Sequence, residues 1–175
     1  MSFRDAAAPS KALHWRAAAW GALLTGIVSL VVEMCLVVLT GGATWGPPRV
    51  TAAILLGPEV LPPPATFDSR MVLVGMLVHC ALSLILAMLW GVVARPWSVE
   101  VTALVGAGFG VAVYLVILYG AAAMVPWFAD ARNAATIMSH AVFGIALALG
   151  YSMRVRARAA AGGSTEAGRS VRTAP

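Results

Sequence analysis

Charge is scarce in this sequence. Only 11% of its 175 residues are Asp, Glu, Lys or Arg, against 61% that are hydrophobic. Ordinary globular chains carry about 25% charged and about 45–50% apolar residues, so this composition excludes a water-soluble domain. Cysteine is nearly absent. Cys35 and Cys80 are the whole supply, and both sit inside apolar runs. They form neither a metal-type spacing nor a secreted disulfide framework. The chain also has no phosphate-binding glycine loop, no G-x-S-x-G, no H-E-x-x-H and no Cys/His zinc spacing. No catalytic residue and no enzymatic activity are therefore expected. The formal net charge is +5, which elsewhere would suggest nucleic acid. Here the basic residues lie at the ends of apolar runs, where membrane topology accounts for them and no nucleic-acid partner is needed.

Four apolar runs are present, at about 17–40, 71–94, 99–125 and 134–153. Each reaches the roughly 20 residues that span about 30 Å of hydrocarbon. The first follows a basic tail but is longer than the roughly 7–15 residues of a signal-peptide apolar region, so it reads as a retained helix. The expected fold is all-α: an integral membrane four-helix bundle over 17–153, preceded by an N-terminal tail at 1–16. A basic tail follows at 154–175, and from about Ala159 it lacks any apolar period and reads as disordered. In the outer loop, 41–70, Pro47 and Pro48 can open a short helix. Gly57-Pro58 would close it. That helix is too short to span and should lie at the interface or fold back over the bundle. Pro62, Pro63 and Pro64 then make a stiff extended segment.

Basic residues set the threading. Arg4, Lys11 and Arg16 precede the first run, Arg95 lies between the second and third, and Arg154, Arg156, Arg158, Arg169 and Arg172 follow the fourth. The other two connections hold Arg49, Arg70 and Arg132, balanced by Glu59, Asp68 and Asp130. The excess on one side places both termini in the cytoplasm.

Every fourth residue of each run is small or polar. The second run gives Gly75, His79, Ser83, Ala87 and Gly91, and the fourth gives Thr136, His140, Gly144, Ala148 and Ser152. The first gives Gly21, Thr25, Ser29 and Glu33, and the third gives Thr102, Gly106, Gly110 and Tyr114. Small residues at this spacing let helix backbones approach closely in lipid. At about 1.5 Å per residue, Glu33, His79, Tyr114 and His140 fall at similar depths in the outer half of the membrane. Ionisable groups there are costly, and mark a candidate functional site.

The halves also read as a parallel repeat. "ATWGPPR" and "VPWFADAR" each place tryptophan, proline and arginine beyond a membrane end, and each precedes a helix whose stripe carries a histidine.

Three functional readings follow. The leading one is a non-enzymatic accessory or assembly partner, in which Glu33, His79 and His140 act as polar glue between helices. The second is a small proton-coupled transporter or channel using the same residues. The third is a b-type haem protein with His79 and His140 as axial ligands, although no other haem signature is present and the cofactor expected is none. In the loops, Arg49, Asp68, Asp130 and Arg132 should form ion pairs or line an outward pocket. Trp45, Trp127 and Phe128 should form an interfacial aromatic belt. The bilayer is the expected partner, with a homo-oligomer or a larger membrane complex beside it.

The words "WGPPR" (45–49), "LPPPATFD" (61–68) and "PWFADARN" (126–133) resemble those of a group of small bacterial membrane proteins of unknown function, some of them called sodium:proline symporters. The resemblance runs from the first helix through the fourth. It implies an integral protein of the bacterial inner membrane and supplies no substrate and no functional residue. Sodium:proline symporters are long transporters with many more helices than the four spans read here.

Overall fold

The computed structural model describes residues 15–61 and 63–172. Five α-helices follow one another: α1 (Trp15–Leu39), α2 (Gly46–Leu56), α3 (Ser69–Val93), α4 (Val99–Leu115) and α5 (Ala134–Arg172). No strand occurs among the described residues. Four segments are long and apolar enough to cross a membrane: Ala19–Leu39, Ser69–Val93, Val99–Ala123 and Ala134–Ala160. The protein is an all-α membrane bundle, with the short α2 in the first long connection.

Side-chain caps set three of the helix starts. The Asp68 carboxylate accepts the Met71 N–H at 3.0 Å, Ser98 Oγ accepts the Val101 N–H at 3.3 Å, and Asn133 Oδ1 accepts the Thr136 N–H at 3.0 Å. Such caps satisfy amide donors that a helix start leaves without partners. Asp68→Ala is expected to cost about 1 kcal/mol. Amide exchange should speed up in the first turn of α3 and not at its far end. The two prolines of α2 lie in its first turn, and Gly57 ends it at φ +87°, a conformation open to glycine.

Two departures from the sequence expectation concern helix ends. The third span was expected to stay regular to Val125. It is an α-helix only to Leu115, then widens into a π-helical turn at Val116–Gly120 and tightens to 3-10 geometry at Ala121–Ala123. In the π turn the Leu118 carbonyl accepts the Arg132 Nε–H at 2.9 Å, and that guanidinium lies 4.3 Å over the Tyr119 ring. Arg132 thus grips the irregular turn from the following connection. The tail beyond Ala159 was expected to be unstructured, yet α5 continues to Arg172. Ala159–Ala161, Glu166, Ala167 and the arginines favour helix there, while Gly162, Gly163 and Gly168 oppose it.

The long helices pack in the order α3, α1, α5, α4, with α5 seated between α1 and α4. The small-residue stripes face these seams. Thr25, Ser29, Ser83, Thr102, Tyr114, Thr136 and Ala148 are all buried, as are Gly106, Gly110 and Gly144. Residues off the stripes, such as Val92 (74% exposed) and Leu104 (75%), form the apolar outer surface that lipid would cover. Along α4–α5 the backbones meet with glycine on both sides. A Cβ on Gly106 would lie 2.6 Å from the Gly144 carbonyl oxygen, and one on Gly144 would strike the Gly106 carbonyl.

The halves resemble each other only in part. Each is a packed pair, α1 with α3 and α4 with α5. A symmetric parallel repeat would also make the α1–α5 and α3–α4 contacts alike. Instead α1 and α5 are close-packed, while α3 and α4 are not, although only five residues join them. At their shared end the gap is filled by rings: Trp90, fully buried, lies 5.4 Å from Phe109 and 6.4 Å from Trp97. Leu147, Phe143 and Tyr151 of α5 complete this plug. Arg156 ties α5 to the same turn through the Trp97 carbonyl at 2.7 Å, and Arg154 lies 5.2 Å over Trp20 of α1.

Candidate functional site

At the opposite end, which carries the two longer connections, the space between the helices is not filled. A cavity of about 420 Å³ lies there, lined by residues from α1, α2, α3, the π turn, the Trp127–Asn133 connection and α5. A smaller space of about 70 Å³ extends from it toward the aromatic plug, between Leu86, Val113 and Phe143. Glu33, His79 and His140 line both spaces. The larger cavity reaches the surface: Ala43, Ile54, Asp130 and Asn133 of its lining are exposed.

The stripes place these side chains. Glu33 ends the α1 stripe, and His79 and His140 are the second members of theirs. His79 Nε2 lies 3.0 Å from the Gly26 carbonyl and 3.3 Å from Ser29 Oγ, both on α1. A carbonyl only accepts, so Nε2 carries the proton. Gly26 permits this approach, because a Cβ there would lie 3.0 Å from Ser83 Oγ and 3.7 Å from the His79 ring. His140 is held differently. Its Nδ1 donates to the Thr136 carbonyl one turn back, at 2.8 Å, and its ring meets Tyr114 edge to face at 5.6 Å. Each imidazole thus has one nitrogen bonded to backbone, and the other has no partner among the described residues. The Glu33 carboxyl has neither a charged nor a hydrogen-bonding partner among them. Tyr114 stands behind His140, buried with Leu118 and Phe128, and does not line the cavity.

The charged loop residues bind backbone in place of the expected ion pairs. Arg49 is buried on α2 and donates to the Val60 carbonyl at 3.0 Å and the Thr66 carbonyl at 3.1 Å. Arg132 holds the Leu118 carbonyl, and Asp68 caps α3. Of the four, only Asp130 lines the cavity. The physical reason is supply: loops that fold inward over a bundle leave carbonyls without partners, and guanidinium groups satisfy them.

The three residues expected in an aromatic belt have different surroundings. Phe128 is buried, Trp127 lines the cavity with its indole N–H buried and unpartnered, and Trp45 packs on Phe67 at 4.9 Å. The 3-10 turn at Pro126–Ala129 brings Phe128 onto Tyr114 and Leu118.

Sequence reasoning missed Asn133, Thr136 and the π turn as cavity elements. The signal for Asn133 was present, as Asn three residues before Thr136 at a helix start. No group of three or more metal-ligating side chains occurs among the described residues. No family model, curated protein or solved structure matches the chain.

Proposed function

We propose that the chain is a small, non-enzymatic transport protein of the bacterial inner membrane, with proton passage through Glu33 as its central step. His79 and His140 complete the relay, both termini are cytoplasmic, and the cavity faces outward. The Arg-rich ends support that orientation by the positive-inside rule. One observation carries the reading: a carboxyl within a membrane span stands without a partner in a cavity that reaches the surface. Polar glue would leave no such group. His79, bonded to Gly26 and Ser29 across α1–α3, is glue in that sense, at about 0.6–2 kcal/mol. Glu33 makes no such bond. The haem alternative is disfavoured because ligation through Nε2 would take His79 from the Gly26 carbonyl. The aromatic plug closes the far end, as a path opened from one side at a time requires.

The test uses purified protein in vesicles that hold a pH-sensitive dye. A potassium diffusion potential, negative inside, drives protons inward. Wild-type protein should acidify the vesicles faster than protein-free controls, and Glu33→Gln should return the rate to theirs. Equal rates for wild type and protein-free vesicles would overturn the reading. Weight would then return to an accessory role, tested by co-purification with a larger complex.

A further inference from the structure

The structure withholds a counter-ion from the cavity, and we infer that the ligand supplies it: the cavity binds an organic monoammonium ion with an apolar or aromatic body. The inference deepens the transport reading and rests on it.

Charge favours a cation. Two carboxyl groups line the cavity, Glu33, which also lines the smaller space, and the exposed Asp130, and among the described residues no Lys or Arg does. The nearby guanidinium groups are committed elsewhere. Arg49 binds the Val60 and Thr66 carbonyls, and Arg132 binds Leu118 and lies over Tyr119. A carboxylate in an apolar surrounding is costly unless it is paired, so an entering cation interacts with it far more strongly than it would in water. An anion would meet two carboxyl groups and no compensating cation.

The wall chemistry separates organic from inorganic cations. Sodium or calcium must exchange its water for several oxygen ligands. The walls here are largely hydrocarbon: Val37, Val50, Ile54, Leu82 and Ile117. They can match an apolar body and cannot replace a hydration shell. The volume of about 420 Å³ falls within the roughly 300–1,000 Å³ of small-molecule sites.

Aromatic rings add a further attraction. Trp127 and Phe128 line the cavity near Asp130. Ring faces attract ammonium groups, most strongly where water is excluded. The lining thus offers an exposed carboxylate, aromatic residues, Glu33 and two histidines that each have one ring nitrogen without a partner among the described residues.

The experiment is equilibrium dialysis of labelled phenyltrimethylammonium against purified protein in phosphatidylglycerol nanodiscs. Its fixed charge cannot be lost as a proton. Saturable binding by wild type is expected above that of protein-free nanodiscs of the same anionic lipid, with benzenesulfonate, an anion of similar size, failing to bind or compete even in salt high enough to screen the lipid charge. Glu33→Gln should weaken binding about tenfold or more, equivalent to at least about 1.4 kcal/mol. The comparison of the two ligands on wild-type protein stands even if that variant misfolds. Nanodiscs containing phosphatidylethanolamine form a further arm. Competition there would identify a lipid headgroup as the source of the ammonium, and its absence would identify a free solute. Equal binding of both probes, or binding of neither, would overturn the inference. Proton flux without cation binding refutes this ligand class and leaves the transport reading in place, whereas cation binding without flux does the reverse.

Discussion

Gly110→Leu is expected to separate α4 from α5. A Cβ at residue 110 would strike the His140 carbonyl, which is backbone and cannot rotate away. The same holds for Gly144 against the Gly106 carbonyl. The helices can relieve the overlap only by moving apart, which forfeits contact along the whole seam. Overpacking of this kind costs about 1–3 kcal/mol and occasionally more. Gly110→Ala is placed near the upper end of that range, and leucine beyond it. The internal control is Gly108, two residues away on the exposed side, where an added Cβ meets nothing within 4 Å. Gly108→Ala should be neutral or should stabilise the helix by up to about 1 kcal/mol. Thermal unfolding in a mild detergent checks both. Similar midpoints for Gly110→Ala and Gly108→Ala would refute the close seam. Gly106→Ala combined with Gly144→Ala should cost less than the sum of the two, because one displacement relieves both overlaps.

The second large effect belongs to Arg49. Its guanidinium reaches carbonyls 11 and 17 residues along the chain and gathers the first long connection around α2. Hydrogen bonds to a charged group contribute about 1.5–3 kcal/mol each. Against this stands the buried Nε–H, which has no partner among the described residues. Arg49→Met is expected to cost about 2–4 kcal/mol, as two such bonds are lost and one unsatisfied donor is removed. The loss should be local. Residues 57–68 should become protease-sensitive and exchange their amides quickly, while the α4–α5 seam stays protected. Arg49→Lys should fail to restore protection, since one ammonium lacks the planar fork that serves two carbonyls at once. Full protection in the lysine variant would show that charge alone holds the loop.

Much of this bundle was legible in the residues. The stripes from Thr25 to Ala148 named the buried seams, because in lipid only small side chains allow backbones to touch. Pro47, Pro48 and Gly57 marked both ends of α2. Depth counting put Glu33, His79 and His140 at one height, and they line one cavity. What the pattern could not carry is which seam meets which. Stripes of glycine and alanine are interchangeable as surfaces, so the open α3–α4 side had no local signature. Arg49 and Arg132 read as ion-pair partners because carbonyl acceptors are invisible in a sequence. The π turn at Val116–Gly120 was hidden for a related reason: its hold comes from Arg132, twelve or more residues downstream.

The seat of α5 between α1 and α4 has a consequence for biogenesis. As the chain is made, α1 and α3 can pair early, since both emerge before residue 94. α4 then enters the bilayer with its Gly106–Gly110 face toward lipid and waits, because its close-packing neighbour has not been synthesised. The last helix completes both remaining seams in one event and closes one wall of the cavity with His140. A chain ending before residue 134 would hold three of the four apolar segments and would lack the cavity wall that Thr136 and His140 supply.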